Sequence, residues 1–118
     1  RSADEALRHL PSTQGPAVLL HQDLHADNVL SSDREPWLAI DPKPLLGERE
    51  LAVAPIVRDF TLGTGRSAVL RRLNRLTADL GLDRERAAGW TIAQTIAWAF
   101  SSGHAEAHYE TVRHLLDR

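Results

Sequence analysis

Three short apolar runs between residues 17 and 41, separated by polar segments, most strongly limit what this chain can fold into. The runs are AVLL (17–20), NVLSS (28–32) and PWLAID (36–41), and the polar segment SDRE joins the second run to the third. Apolar runs of this length, bounded by turn residues, are typical of short strands. We therefore predict small strands around a polar loop, and a hairpin made by the second and third runs.

Helical patterns dominate the remaining sequence. Residues 2–10 contain helix-forming residues up to a break at PSTQGP, and RELAVAPIVRDF (49–60) is predicted as a helical stretch that is interrupted at Pro55 and followed by a loop at TLGTG. In residues 66–82 an amphipathic helix with a stop at Gly81 is predicted from the spacing of Val69, Leu73, Leu76 and Leu80.

Two more helices are predicted in the last third of the chain. Asp83 is in position to cap a helix that is apolar on nearly all sides from Trp90 to Phe100, which predicts a central, buried element. A final helix is predicted from one stripe of side chains, Ala105, Tyr109, Val112 and Leu116. The predicted fold class is α/β and mainly helical, with a small β-hairpin and a helical bundle.

Composition excludes several classes of function. The 118 residues suit one small domain or part of one, and because no methionine is present we expect a fragment of a longer protein. With 14 basic and 16 acidic residues the net charge is −2, so we expect no nucleic-acid or membrane partner. The lack of cysteine excludes disulfides, thiolate zinc sites and cysteine nucleophiles. No apolar run could span a bilayer, and a cytoplasmic location is expected.

The polar loop at residues 21–28 carries the strongest chemical pattern. His21, Asp23 and Asn28 have the spacing H-x-D-x-x-x-x-N of a kinase catalytic loop, in which the aspartate acts as base and the asparagine binds magnesium. Asp41 follows a short apolar strand, where a second oxygen ligand for magnesium would be needed. The pattern predicts phosphoryl transfer to a hydroxyl group.

Two other interpretations remain open. His21, Asp23, His25 and Asp27 alternate along the loop, so the His21, Asp23 and His25 side chains could hold zinc in a metal-dependent hydrolase. The chain could also be a non-catalytic remnant whose motif no longer functions. His104 and His108 share a helix face, but Ala105 stands where a zinc protease would need glutamate.

The segments HQDLHADNVL and AIDPKPLLGERE resemble the aminoglycoside phosphotransferase superfamily, and within it the branch of streptomycin 6-kinases and hydroxyurea phosphotransferases. The resemblance implies that Asp23 is the catalytic base, that Asn28 and Asp41 bind Mg²⁺ and thereby ATP, and that His21 and His25 support the loop. It also implies a small-molecule hydroxyl substrate, such as an aminocyclitol antibiotic or hydroxyurea, and antibiotic resistance as the result. The second segment, with Lys43, Gly47 and Glu48 after Asp41, points to this branch.

The chain departs from the family pattern in two ways. Members commonly carry Asp-Leu-Ala after the glycine and acid, where this chain has Ala52, Val53 and Ala54, so we expect that an acid bracing the loop is missing. The resemblance covers residues 1–118 only as part of a kinase-like C-terminal catalytic lobe, without the N-terminal ATP-binding lobe. We therefore expect the missing N-terminal lobe in the full-length protein, and little activity from this chain alone.

A cationic antibiotic would be attracted by acids near the loop. Four carboxylates are candidates for this attraction from their positions in the sequence: Asp27, Glu48, Glu50 and Asp59. The pattern does not say which of them face the loop.

Overall fold

The computed structural model describes residue 10, residues 13–99 and residues 103–118 of the chain. The helix predicted for residues 2–10 lies, apart from Leu10, outside the described residues. Within the described part the fold is mainly helical with two small antiparallel sheets, which agrees with the predicted α/β class.

Four short strands form two separate ribbons. They are β1 (Val18–Leu20), β2 (Val29–Ser31), β3 (Trp37–Ala39) and β4 (Leu45–Gly47). The predicted hairpin is confirmed, since β2 pairs with β3 in an antiparallel register that sets Leu30 opposite Leu38. The sequence analysis missed β4, which pairs with β1 and sets Leu46 opposite Leu19. The two leucines of β4 are too short a run to predict a strand, and pairing with β1 defines it.

The segment after β4 is helical, but it is not one helix broken by proline. A 3₁₀-helix at Arg49–Val53 leads directly into α1 (Ala54–Val57), and Phe60–Leu62 forms another 3₁₀-helix. Pro55 lies in the first turn of α1, where a backbone N–H has no intrahelical partner to lose. The predicted interruption is therefore present as a change from a 3₁₀-helix to an α-helix just before Pro55, and the proline helps to begin α1.

The two longest helices begin and end close to the predicted residues. Helix α2 (Arg66–Leu80) ends at Gly81, whose φ of 63° is the left-handed conformation that favours glycine after a helix. Helix α3 (Arg84–Ala99) is capped by Asp83, whose Oδ1 accepts a hydrogen bond of 3.1 Å from Arg86 N. Both predicted end signals are confirmed.

Helix α3 lies at the centre of the molecule. It packs against α1, α2, α4 (Ala105–Leu116) and the 3₁₀-helix at Arg49–Val53. The main core joins residues from all these elements: Val53, Val57, Val69, Leu73, Ala87, Ala88, Ile92, Val112 and Leu115. A second cluster attaches β1 to α3 through Leu20, Leu51 and Trp90. None of the described helices is long and apolar enough to cross a bilayer.

The buried faces of α2 and α4 differ from the predicted stripes. Leu80 of α2 is 49% exposed, while Thr77 is buried beside Val69 and Leu73. On α4 the buried residues are His108, Thr111, Val112 and Leu115. Of the predicted stripe, Val112 is buried, Ala105 and Tyr109 are half-buried, and Leu116 is exposed, so the prediction is wrong at Leu116. The prediction used apolar residues alone and so did not count the buried His108 and Thr111. The predicted buried face of α4 is therefore rotated relative to the observed one.

Candidate active site

Two connecting segments meet to form the site. One is the loop of residues 21–28 between β1 and β2, and the other is residues 40–44 between β3 and β4. Ile40 N donates to Asn28 O at 2.8 Å, and Lys43 N donates to His21 O at 2.9 Å. These two hydrogen bonds place the segment that carries Asp41 alongside the loop that carries Asp23.

His21 fastens the loop to the neighbouring segment. Its Nε2 is 2.7 Å from Ile40 O, and its Nδ1 accepts a hydrogen bond of 3.2 Å from Asp23 N. This pair of contacts requires the neutral tautomer that carries its proton on Nε2. The supporting role predicted for His21 fits this geometry, because its ring fixes the backbone of Asp23.

Asn28 and Asp23 lie in one loop and are in direct contact. Asn28 is 7% exposed, and its Nδ2 donates to Asp23 O at 2.8 Å and approaches Asp23 Oδ2 at 3.4 Å. The same Nδ2 is 3.2 Å from Nε2 of His25. The amide nitrogen is therefore committed to the loop, which leaves the amide oxygen of Asn28 as the atom that could bind a cation.

Backbone strain is located next to these residues. Gln22 (φ 65°) and Asp41 (φ 50°) are the two non-glycine residues with positive φ in the described part of the chain. Residues other than glycine adopt this conformation at a cost, so the surroundings must enforce it. Gln22 is held by a hydrogen bond of 2.8 Å from its Nε2 to Gln94 Oε1. The strained residues are thus Gln22, which precedes the predicted base Asp23, and Asp41, the predicted metal ligand.

Asp41 differs from the other predicted site residues in its surroundings. It is exposed, whereas Asp23, His21 and His25 are half-buried and Asn28 is buried. The structure brings four of the five predicted residues together through side-chain contacts and places Asp41 beside them through the backbone of residues 40–43.

Arg58, which the sequence analysis did not single out, faces Asp23. It is 6% exposed, its Nη1 donates to Gln94 Oε1 at 3.2 Å, and its guanidinium carbon lies 5.1 Å from the centre of the Trp98 ring. Burial lowers the pKa of Arg58 to about 10, although the charge of Asp23 opposes this shift. Arg58 therefore stays charged at neutral pH and places a buried positive charge near Asp23.

Asp59 braces the loop of residues 21–28. Its Oδ2 accepts a hydrogen bond of 2.8 Å from Ala26 N, and its Oδ1 accepts from the N–H (3.0 Å) and hydroxyl (2.6 Å) of Thr61. Burial alone would raise the pKa of Asp59, but these hydrogen bonds and the nearby His25 lower it overall. The expectation that a bracing acid is missing is therefore wrong, since Asp59 supplies it from a later position.

Lys43 is a second cation close to Asp23. Its Nζ lies 3.7 Å from Asp23 Oδ2 and 5.1 Å from the centre of the Trp98 ring, and its side chain is 63% exposed. Lys43 and Arg58 thus both lie 5.1 Å from the centre of the Trp98 ring, and each interacts electrostatically with Asp23.

An open cavity of about 420 Å³ lies in front of Asp23. Its polar wall includes Asp23, His25, Asp27, Lys43, Arg58 and Asp59, and its other wall includes Phe60, Trp98, His104 and His108. His108 is buried, and its pKa is lowered by burial and by the charges of Arg58 and His104, which favours the neutral ring. Such a cavity can hold a small polar molecule next to a carboxylate.

The four acids proposed to attract a cationic substrate are placed differently. Asp27 is exposed and lines the cavity. Asp59 also lines it, but its oxygens are occupied by hydrogen bonds. Glu48 is buried against Arg86 and Trp90, and Glu50 accepts a hydrogen bond from Asp83 N at 3.0 Å. Asp27 remains the candidate of the four for contact with a cation in the cavity.

The zinc interpretation finds no support in this geometry. Within residues 13–99 and 103–118, no three histidine, aspartate or glutamate side chains converge to hold a metal ion. Both ring nitrogens of His21 face other partners in the loop. His21 therefore braces the backbone and does not offer a ligand.

Comparisons with known proteins find one matching family and several relatives. The sequence profile of the family described as aminoglycoside/hydroxyurea antibiotic resistance kinase matches residues 2–104. A streptomycin 6-kinase of Streptomyces griseus is 46% identical over 106 residues, which cover 83% of this chain and 34% of that protein. A hydroxyurea phosphotransferase of Kitasatospora aureofaciens is 47% identical over 89 residues, which cover 72% of this chain and 25% of that protein.

A more distant relative is a streptomycin 3''-kinase of Klebsiella pneumoniae, 39% identical over 111 residues, which cover 86% of this chain and 42% of that protein. The chain thus spans about a third of the length of the curated relatives it matches. No solved structure matches the chain significantly.

Proposed function

The chain belongs to the aminoglycoside/hydroxyurea antibiotic resistance kinase family, and from this premise we propose that its protein transfers the γ-phosphoryl group of ATP to a hydroxyl group of a small polar molecule. The acceptor would be an aminocyclitol antibiotic such as streptomycin, or hydroxyurea, the compounds named for its relatives. Phosphorylation would inactivate the compound and confer resistance. The observation that carries the proposal is the direct contact of Asn28 with Asp23 at the edge of the cavity.

Asp23 is the proposed catalytic base. Its carboxylate is 15% exposed and faces the cavity, so an acceptor hydroxyl bound there can donate its proton to Asp23. The acceptor oxygen then forms a bond to the γ-phosphorus, and the bond from that phosphorus to the bridging oxygen breaks. The electron pair leaves with ADP, and Asp23 later releases the proton to water.

The residues present fit a magnesium site. Magnesium prefers carboxylate and carbonyl-type oxygens and keeps part of its water shell. The amide oxygen of Asn28 and the exposed carboxylate of Asp41 provide such atoms on two segments joined by backbone hydrogen bonds. Bound magnesium would neutralise phosphate charge, and these two residues would orient it toward Asp23.

The kinase-like lobe is part of the same proposal. We propose that residues 1–118 form part of a C-terminal catalytic lobe and that transfer also requires an N-terminal ATP-binding lobe. The 118 residues contain no glycine-rich phosphate loop, and positioning the phosphates is most of what such an enzyme contributes. We therefore expect the isolated chain to transfer phosphate poorly, and we expect the protein to work in the cytoplasm, where ATP is available.

The test is transfer of labelled phosphate from MgATP by the natural gene product that contains these residues. Streptomycin, hydroxyurea and other small alcohols are offered as acceptors, and Asp23→Asn is compared with the parent. Loss of the base should lower the rate of transfer by about 10²- to 10⁴-fold. Asp79→Asn, which makes the same change on the exposed face of α2, should leave the rate unchanged.

Two results would contradict the proposal. If no acceptor is labelled, the kinase assignment fails for these compounds, and bound zinc in the purified protein would then favour the hydrolase hypothesis. If Asp23→Asn transfers phosphate as fast as the parent, Asp23 is not the base.

A further inference from the structure

We propose that Lys43 is a further catalytic residue, whose ammonium group binds an oxygen of the γ-phosphoryl group in bound ATP and keeps it during transfer. The inference rests on the proposed kinase function and adds a residue to it. Lys43 is the single lysine among the 118 residues, so a lysine side chain can reach the cavity from this position alone.

The backbone fixes where the Lys43 side chain starts. Lys43 N donates to His21 O at 2.9 Å, which ties the residue to the loop two positions before Asp23. From this anchor the side chain extends over the cavity, and Nζ lies 3.7 Å from Asp23 Oδ2. The amine is therefore held within a few ångströms of the group that receives the proton.

The geometry of the reaction makes that position useful. The acceptor oxygen lies between the base and the phosphorus, with the leaving oxygen roughly in line behind, so the three equatorial phosphoryl oxygens surround this line. A cation beside the base is then beside those oxygens. Charge placed in advance at such a point stabilises the transition state more than a charge recruited from water does.

Lys43 is free to exchange its present partner for a phosphoryl oxygen. Its side chain is 63% exposed, and its separation of 3.7 Å from Asp23 Oδ2 is longer than a hydrogen bond, so the ammonium group can turn toward another anion. The Lys43 Nζ lies over the Trp98 ring, 5.1 Å from its centre. The face of the ring attracts the ammonium group and keeps the side chain extended along the cavity wall. When Lys43 moves to the phosphate, Asp23 would lose this ion pair, and it would then accept the proton of the acceptor hydroxyl.

Arg58 cannot take this role, although it also faces Asp23 and Trp98. Its side chain is buried, and a hydrogen bond of 3.2 Å to Gln94 holds it in place. Gln94 also accepts from Gln22, so moving Arg58 would disturb the residue that precedes the base. The two cations therefore have different roles. Arg58 stays fixed near Asp23, and Lys43 moves to bind the phosphoryl oxygen.

The first test compares Lys43→Met and Lys43→Arg with the parent in the natural gene product. Lys43→Met should lower kcat by about 100-fold, the cost of removing one preorganised charge at a transition state, while Lys43→Arg should restore much of the rate. Arg71→Met removes one positive charge from the exposed face of α2 and should leave kcat unchanged. A rate for Lys43→Met equal to that of the parent would overturn the proposal.

The second test needs no transfer of phosphate. In calorimetry without acceptor, Lys43→Met should weaken binding of MgATP by about tenfold and leave MgADP unchanged, because ADP lacks the γ-phosphate. An equal loss for both nucleotides would show that Lys43 only supports the site, and would overturn the assignment.

Chemical labelling can follow Lys43 directly. An amine-reactive reagent should modify Lys43 in the free protein, and MgATP should protect it more than MgADP, as read from the mass of the peptide that contains it. Equal protection by both nucleotides, or by neither, overturns the proposal. If the parent labels no acceptor, the proposed function fails separately, and the difference between ATP and ADP protection still decides the role of Lys43.

Discussion

Two buried carboxylates, Glu48 and Asp59, use their hydrogen bonds in different ways. Glu48 is 3% exposed and receives bonds from groups far apart in the sequence: Gly15 N at 2.8 Å, Arg86 Nε at 2.9 Å and the Trp90 indole. Asp59 is 9% exposed and receives its bonds from Thr61, two residues away, and from Ala26 in the catalytic loop.

Glu48 therefore contributes mainly to the stability of the fold, and Asp59 mainly to the geometry of the loop at residues 21–28. Burial alone would raise the pKa of Glu48, but bonds from Gly15, Trp90 and Arg86 and the arginine charge lower it overall, so the ionised form holds three parts of the fold together. The bonds of Asp59 come from uncharged donors and fix one backbone N–H of the loop. We therefore expect changes at Glu48 to act on the whole fold and changes at Asp59 to act on catalysis.

The largest predicted effect on stability is that of Glu48→Gln. The change removes the partner of Arg86, whose side chain is 22% exposed, and places an NH₂ group where the carboxylate accepted hydrogen bonds. Breaking a largely buried pair from one side should lower the free energy of unfolding by about 3 kcal/mol. Urea unfolding measures the loss, and Glu35→Gln, on the exposed turn between β2 and β3, should change it little.

A small loss for Glu48→Gln, equal to that of the Glu35 control, would contradict the comparison. It would mean that Gly15, Arg86 and Trp90 are held by packing alone.

Compared with Glu48→Gln, Asp59→Asn should change the free energy of unfolding less and the rate of phosphate transfer more. An asparagine keeps one acceptor oxygen but turns the other atom into a donor that faces either Ala26 N–H or the Thr61 donors. The loss in unfolding free energy should be about 1 kcal/mol, the cost of one hydrogen bond. The displaced loop should lower the rate of phosphate transfer by about tenfold, since catalysis depends on the position of Asp23.

Asp79→Asn serves as the matched control for Asp59→Asn, because it makes the same change on an exposed helix face. A stability loss at Asp59 as large as that at Glu48, with no selective loss of transfer rate, would remove the distinction between the two acids.

This comparison also explains what the sequence could and could not predict. His21, Asp23 and Asn28 were predicted as one group because they lie within eight residues and share a spacing with a chemical reason. Asp59 was noted as a possible attractive charge, but its bond to Ala26 spans 33 residues. The Gln22 bond to Gln94 spans 72 residues, and no local pattern indicates it.

The fold shows the same limit. The end of α2 at Gly81 and the cap of α3 at Asp83 are local signals, and both were predicted correctly. Strand β4 and the buried face of α4 depend on partners elsewhere in the chain, and both were missed or misplaced. Glu48 of the second motif, to which the sequence assigned no structural role, is a buried link between distant segments.

The smallest predicted effect is on the pH dependence of stability. The folded pKa of Glu48 lies below its ordinary value of 4.5, so as pH falls through that region the unfolded chain binds the proton first. The stability contributed by Glu48 is therefore complete above pH 4.5 and is lost as pH falls toward the lowered folded pKa. Asp59 behaves in the same way, but from its lower ordinary value of 3.8.

Urea unfolding from neutral pH into this acid range separates the two acids. Glu48→Gln should flatten the fall in unfolding free energy that begins near pH 4.5, and Asp59→Asn should flatten the part below pH 3.8. Identical acid profiles for the parent and both variants would show that neither carboxylate gains from being ionised in the folded protein. Glu48 would then be a packing residue, and the division between a stabilising acid and a loop-positioning acid would lose its electrostatic basis.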